Sequence, residues 1–399
     1  MPGSLIKDSF KKLENYCSRK NWVGWDPYDG LNSVVFKKLP VIRDNVTARL
    51  IWIQLFKKNP VNLRRLLRVP QGYNTKGLGL FLSGYCNIFN VQQKYGITIL
   101  DNQDILKDKI IRIADLLLEL QSPGYSGACW GYNFDWQSKA FFLPVHTPTV
   151  VATAFVAEAL IKAYGITGSR NYLDTALSSA DFILKDLNRI PKPEGFMFSY
   201  SPLDDRAVYN ASLLGTKTLS LAYPYTQNEL YKEAAYQTAL AVCRNQNEDG
   251  SFPHSDQVGN SWRDNFHTAF KLESLAYYQK YCSDSTFCEN LDRGFNYWIE
   301  HFFDKETGIA LYYENNYNLI DLHCAAQSMP ALYNLNRFKS MERVATKVIT
   351  WAVENMQDEE GYFYFQKTKG GLNKIAYMRW PNAWMFYGMS YYILGMYEI

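Results

Sequence analysis

An all-α ring of six helical hairpins, an (α/α)6 toroid with short β-hairpin excursions at the cavity mouth, is the fold this sequence predicts. Three observations carry it. Apolar helical runs recur behind an Asn or His at Asn74, His146, Asn210, His267, His323 and Asn382, spaced 72, 64, 57, 56 and 59 residues apart. One-sided helices fall between them, at 104–120, 170–187, 228–245, 285–302 and 339–355, with an earlier one over 44–57. The later polar helices end at glycine-bearing stretches, 246–252, 304–313 and 357–365, whose alternating aromatics read as short strands or hairpins.

The unit is therefore an outer amphipathic helix, a β-like excursion and an inner apolar helix. A helix apolar nearly all round must be buried on most faces, whereas a one-sided helix sits outside it. Six inner helices wrapped by six outer ones close on themselves, so each unit covers its neighbour without special end caps. No linker or low-complexity stretch divides the chain. Residues 1–399 read as one domain, with 1–43 as an N-terminal arm packed on the ring.

Composition narrows the function. The 399 residues carry 42 basic and 39 acidic side chains, a net charge of +3 with no Lys/Arg tract, which gives no reason to expect nucleic acid as a partner. Aromatics make up 16% of the chain (10 Trp, 30 Tyr, 23 Phe), and with 47% apolar residues they describe a large core. Seven cysteines form no CxxC pair, and the odd count fits a reducing compartment. The start lacks a sustained apolar segment, and nowhere do 18 apolar residues run uninterrupted, so no transmembrane segment is expected and the location expected is the cytoplasm.

In a toroid of this topology the inner helices run the same way, so their N-termini and the excursions leading into them collect at one end. Unpaired N–H groups and positive dipole ends then favour an anionic ligand. Four of the five histidines fall at or just before those starts: His146, His254, His267 and His323. Asn is a routine N-cap, and Asn74, Asn210 and Asn382 are read as that. A cap need not be His, and an imidazole is the natural proton carrier near neutral pH. The same lead-ins carry Arg206, Arg263 and Arg379, suited to a carboxylate, and Trp130, Tyr132, Trp136, Trp262, Tyr313 and Trp380, suited to stacking on a sugar ring.

Motifs for other chemistry are missing. HExxH, GxSxG, Walker A and GxGxxG do not occur. The histidines come from separate repeats, so neither a metal nor another cofactor is expected. The glycine turns at 246–252 and 357–363 resemble the QW-type repeats of terpenoid cyclases and prenyltransferases. The cyclases' DxDD is represented only by Asp204-Asp205, and the prenyltransferases' zinc ligands have no match. Lanthionine cyclases share the toroid, but their Cys-His order is reversed in His323-Cys324.

The segment 265–275, NFHTAFKLESL, is similar to the His-bearing inner helix of glucuronyl C5-epimerases, one of several toroid enzymes, polysaccharide lyases among them, that act on uronic-acid polysaccharides. The segment 21–32, NWVGWDPYDGLN, resembles proteins encoded in bacterial capsule and exopolysaccharide clusters, which implies a pathway of polysaccharide biosynthesis or modification.

The expectation is thus a carbohydrate-active enzyme doing acid/base chemistry, epimerisation or β-elimination, on an anionic saccharide. His267 is expected as base or acid, oriented by Asp264, with Tyr209 or His146 as the opposite-face partner and His323 in the same group. Arg206, Arg263 and Arg379 would neutralise the carboxylate, and His254 and the named aromatics would bind the sugar. The alternatives are glycoside hydrolysis by two of Asp135, Asp204, Asp205, Asp264 and Asp321, a terpenoid cyclase or prenyltransferase-like enzyme, and a non-catalytic glycan-binding scaffold.

Overall fold

The structure is a computed structural model that describes residues 3–138, 141–255 and 262–398. It opens with α1 (Ser4–Arg19), followed by the short helices α2 (Val34–Lys37) and α3 (Pro40–Arg43), and by α4 (Val46–Lys58). Inner and outer helices then alternate. The inner set is α5 (Thr75–Tyr95), α7 (Val150–Thr167), α9 (Tyr209–Thr226), α11 (Asn265–Cys282), α13 (Leu322–Asn334) and α15 (Trp384–Glu398). The outer set is α6 (Gln103–Glu119), α8 (Arg170–Lys185), α10 (Glu229–Cys243), α12 (Cys288–His301) and α14 (Phe338–Met356). Each inner helix packs on the next, and α15 returns to α5, so the ring is closed.

The sixth outer helix is not the one at 44–57. That place is taken by α1, which packs on α14 and α15 and reaches α6 through Lys109 and Glu14 at 2.7 Å. Glycine turns explain the choice. Gly250 and Gly308 have positive φ (88° and 81°), and a Cβ on either would stand 2.5 Å from a carbonyl oxygen of the following outer helix, Arg293 or Lys347. Gly361, at φ 101°, meets the Lys12 carbonyl of α1 in the same way. Only glycine allows that backbone approach, and its recurrence at the last turn places α1 as the closing member. The 1–43 segment thus divides into an outer helix and a cover that continues through α4. The cover has its own small core of Leu31, Phe36 and Ile53.

Two further expectations are corrected. The stretches 246–252, 304–313 and 357–365 are glycine turns, and the last two are closed by isolated bridges (Phe303 to Ala310, Gln357 to Phe363) rather than strands. The two-stranded hairpins lie elsewhere: β1 (Trp136–Gln137) with β2 (Phe142–Leu143), and β3 (Arg189–Pro191) with β4 (Phe196–Phe198). A three-stranded antiparallel sheet of β5 (Leu319–Asp321), β6 (Gln366–Thr368) and β7 (Gly371–Asn373) joins the last two units. Residues just ahead of an inner helix pair with the next excursion: Val208 with Ser255, Asp264 with Tyr313, Asp321 with Gln366. This repeated pairing holds the helix starts in register around one opening.

Midway along the ring the axis is closed by ions. Lys217 lies 2.8 Å from Glu158 and 3.0 Å from Glu273, all three buried, and Gln327 and Asn334 donate to Glu273 at 2.6 and 2.9 Å. Such groups are tolerable inside a protein only because each charge has a partner. Among the described residues α7 alone is long and apolar enough to cross a membrane, and 67% of that stretch is buried within the ring.

Candidate active site

A cavity of about 480 Å³ opens at the inner-helix N-termini. Its size falls in the range of about 300–1,000 Å³ usual for small-molecule sites. Local capping builds its chemistry. Asp264 is the N-cap of α11: Oδ1 accepts the His267 backbone N–H at 2.9 Å, and Oδ2 lies 2.7 Å from His267 Nδ1. One buried carboxylate therefore starts the helix and orients the ring three residues on. With Nδ1 engaged, Nε2 is the nitrogen left to the cavity, which His267 lines. A buried carboxylate behind an imidazole fixes its tautomer and stabilises the imidazolium when Nε2 takes a proton.

The second histidine arises the same way. Asp321 caps α13 by accepting the His323 backbone N–H at 2.9 Å, and both its oxygens accept the Trp380 indole N–H at 2.9 and 3.2 Å. The His323 ring lies between Phe266 (centroids 4.0 Å apart, planes at 19°) and Trp384 (3.9 Å). Neither ring nitrogen has a hydrogen-bond partner among the described residues. Burial holds this imidazole well below its ordinary pKa, with the nearby Lys76, His267 and Arg379 charges adding to the effect. The third, His254, stacks on Trp262 at 3.9 Å and stands 5.3 Å from the His267 ring. Burial, then the His267 and Lys271 charges, pushes it down to about 2.

Cationic side chains stand beside His323. Arg379 is buried and held bidentately by Asp26 at 2.5 and 2.8 Å, and its guanidinium lies between the rings of Tyr132 and Trp380. Arg206 stands at the rim with 39% of its side chain exposed. Lys76, in the first turn of α5, is only 4% exposed and lies 4.7–5.5 Å from the centroids of Phe155, Trp384 and Phe270. No carboxylate among the described residues pairs with it. Burial and the Arg379 charge hold its pKa well below that of an ordinary lysine. Asn210 also lines the cavity, and its Oδ1 is buried without a hydrogen-bond partner among the described residues.

The structure thus gathers His254, His267, His323, Arg206, Arg379, Tyr132, Trp136, Trp262 and Trp380 around one cavity, with Asp264 directly behind. Five expected members stand elsewhere. His146 is exposed, with φ 64°, in the loop after β1–β2; the hairpin delays the second inner helix, which Thr149 caps instead. Tyr209 is the first residue of α9, and its ring is buried in the core. Trp130 is a core residue whose indole donates to the Leu117 carbonyl of α6 at 2.7 Å. Arg263 is held by Glu314 at 3.2 Å, with Asp249 at 3.6 Å, outside the cavity. Tyr313 is 39% exposed, and its neighbour Tyr312 lines the cavity, as alternation along an extended segment requires.

Two of the three expected asparagine caps are also corrected. Asn74 does cap α5, accepting from the Gly77 N–H. Asn210 lies inside the first turn of α9, and Asn382 ties the Phe363 N–H to the Tyr377 carbonyl. Sequence reasoning passed over Lys76 and Tyr28. Signals existed: Lys76 is a lone charge in an otherwise apolar run, and Tyr28 lies in the 21–32 segment that also supplies Asp26.

Of the aspartates considered for hydrolysis, none lines the cavity. Asp204 is consumed by a turn with Ser201, Tyr200 and Arg206, and the Asp205 side chain is 88% exposed. Asp135 accepts the Val145 N–H, and Asp264 and Asp321 stand behind their histidines.

No protein-family model matches the chain, and no curated protein matches it by sequence. Solved structures match it by shape. An unsaturated glucuronyl hydrolase specific for heparin superposes with a TM-score of 0.61 at 14% identity, over 97% of this chain and 96% of that one. A cellobiose 2-epimerase from Bacillus thermoamylovorans gives 0.61 at 14% identity over 82% and 88%, and an alpha-mannanase from Bacteroides thetaiotaomicron 0.60 at 14% over 80% and 86%.

The chain is an (α/α)6 toroid. The aromatic-walled cavity lies at the inner-helix N-termini of that toroid, and the histidine and arginine side chains that line it come from different repeats of the ring.

Proposed function

We propose that this toroid is a carbohydrate-active enzyme that moves a proton at a carbon next to a carbonyl or carboxylate of an anionic sugar, by epimerisation or β-elimination. The observation that carries the reading is the Asp264–His267 pair, in one cavity with His254, His323, Lys76 and Arg379. His267 Nε2 takes the proton, Asp264 supports the imidazolium that results, and the cationic side chains hold the enolate oxygen that forms. His254, 5.3 Å from the His267 ring, is held neutral chiefly by its burial. The aromatic walls offer a sugar ring its stacking faces. The shape neighbours, a cellobiose 2-epimerase, a D-mannose isomerase and an unsaturated glucuronyl hydrolase among them, support sugar chemistry.

Glycoside hydrolysis is the second reading, supported by the breadth of the match to the glucuronyl hydrolase. It needs two carboxylates at the reacting bond, and the described residues that line the cavity include none. The test is product analysis after incubation with uronic-acid oligosaccharides and neutral gluco- and manno-disaccharides. Altered configuration at unchanged chain length, or a new unsaturated uronate, supports proton abstraction. Shorter saturated products support hydrolysis instead.

A further inference from the structure

The net charge of +3 conceals a polarised molecule. Residues 34–68 hold nine basic side chains and a single acidic one, Asp44, so this segment carries +8 and the rest of the chain −5. The same segment breaks the ordinary rule for apolar side chains. Half of the large apolar residues that stand exposed among the described residues fall between 34 and 66, led by Val41 at 86%, Leu66 at 76% and Ile51 at 65%. The helix α4 shows why. Its inner face buries Ile53 and Phe56, while Ile51 and Leu55 on the outer face and Val46 at the helix start stand in solvent. It is apolar on two sides and packed on one.

These residues form one surface. α2 packs on α3 and α3 on α4. The stretch after α4 is tied back to the start of α2, with Ser33 Oγ donating to the Leu67 carbonyl at 2.6 Å and the Val34 N–H to the Arg68 carbonyl. The inner side of this cover packs on Tyr28 and Trp136, which line the cavity. The patch therefore lies at the cavity end of the ring. Lys37, Lys38, Lys58, Arg65 and Arg68 are exposed among its apolar side chains.

We propose that the outer face of residues 34–68 docks on an anionic lipid surface and holds the cavity end of the toroid against it. Apolar side chains projecting between lysines and arginines suit insertion among headgroups, with each basic residue near an anionic surface adding to the attraction. A second copy of the chain would set +8 against +8. A nucleic acid would use the charges and leave Val41, Ile51 and Leu66 without a partner. The acidic remainder of the molecule is repelled from the same surface, which orients the docking. This docking is independent of the sugar chemistry proposed above, and its test needs no saccharide.

The test is co-sedimentation of the full chain with vesicles of phosphatidylcholine containing phosphatidylglycerol, and with vesicles of phosphatidylcholine alone. Binding is expected only to the anionic vesicles and should weaken as salt is raised. Lys37→Glu/Lys38→Glu/Lys58→Glu should lower affinity about a hundredfold or more, and Val41→Asp/Ile51→Asp/Leu66→Asp should abolish binding at unchanged melting temperature. The wild-type lipid and salt arms stand even if a variant misfolds. Equal binding to neutral vesicles, or none to anionic ones, overturns the proposal. So does a stable dimer that the apolar triple variant dissociates, or a nucleic-acid complex formed by a chain that ignores vesicles.

Discussion

His267 Nδ1 lies 2.7 Å from Asp264 Oδ2, and the other oxygen of the same carboxylate accepts the His267 backbone N–H. Helix start and imidazole orientation thus share one side chain. Asp264→Asn keeps a cap of similar quality but changes the tautomer that its side chain selects. The helix should hold its stability to within about 1 kcal/mol, while turnover should fall about 100-fold or more with little change in substrate affinity. Steady-state kinetics beside a thermal melt checks the split.

Lys76 is buried with no carboxylate partner among the described residues, at a cost to stability. Its pKa is lowered, so the unfolded chain binds more protons than the folded one between the folded value and the ordinary lysine value of about 10.4, and stability rises with pH across that window. Lys76→Met should therefore stabilise the protein near neutral pH, with the gain shrinking as pH approaches about 10. The same variant should bind uronates about tenfold or more weakly. Melts across pH and calorimetric titration read the two effects.

His323 is held neutral by burial. Its folded pKa is depressed, so the unfolded chain takes up the proton first as pH falls below about 6.5, and stability is lost from there downward. The loss is about 1.4 kcal/mol at pH 5.5 for one such histidine. His323→Phe should flatten that part of the pH–stability curve and abolish activity, as measured by denaturant unfolding and turnover assays.

The two cavity arginines should behave differently. Arg206 stands half-exposed at the rim, so Arg206→Gln should weaken substrate binding and leave the melt unchanged. Arg379→Gln strands the buried Asp26 carboxylate and should destabilise the fold by about 3–5 kcal/mol. Urea unfolding separates them.

Ring closure has its own test. Gly361→Ala puts a Cβ against the Lys12 carbonyl at a φ of 101°, and should cost about 1–2 kcal/mol from the backbone conformation plus the displacement of α1. Urea unfolding and protease nicking within α1 should both register it.

Much of this was legible in the chain. The repeat at His267 and His323, with an acidic residue ahead of each helix, made it legible that both rings stand at one cavity with Asp264 behind the first, because capping is a local event. His146 misled because an intervening hairpin, β1–β2, separated the anchor from its helix. Tyr209 and Trp130 misled because a residue beside a helix start faces either cavity or core, and that choice depends on rotation about the helix axis. Tyr313 and Tyr312 differ only in strand parity. Lys76 was hidden by the strength of its apolar surroundings. The charge of residues 34–68 was hidden by its own balance against the rest of the molecule.

The most direct measurement is solvent-deuterium wash-in on uronic-acid oligosaccharides, run side by side with the wild-type chain and His267→Gln. The account predicts, with wild type, deuterium at the carbon next to the carboxylate or a new unsaturated uronate, and a rate about 100-fold or more lower with the variant while saccharide binding persists. Cleavage to saturated products without wash-in, or turnover that is unchanged by the substitution, would contradict it.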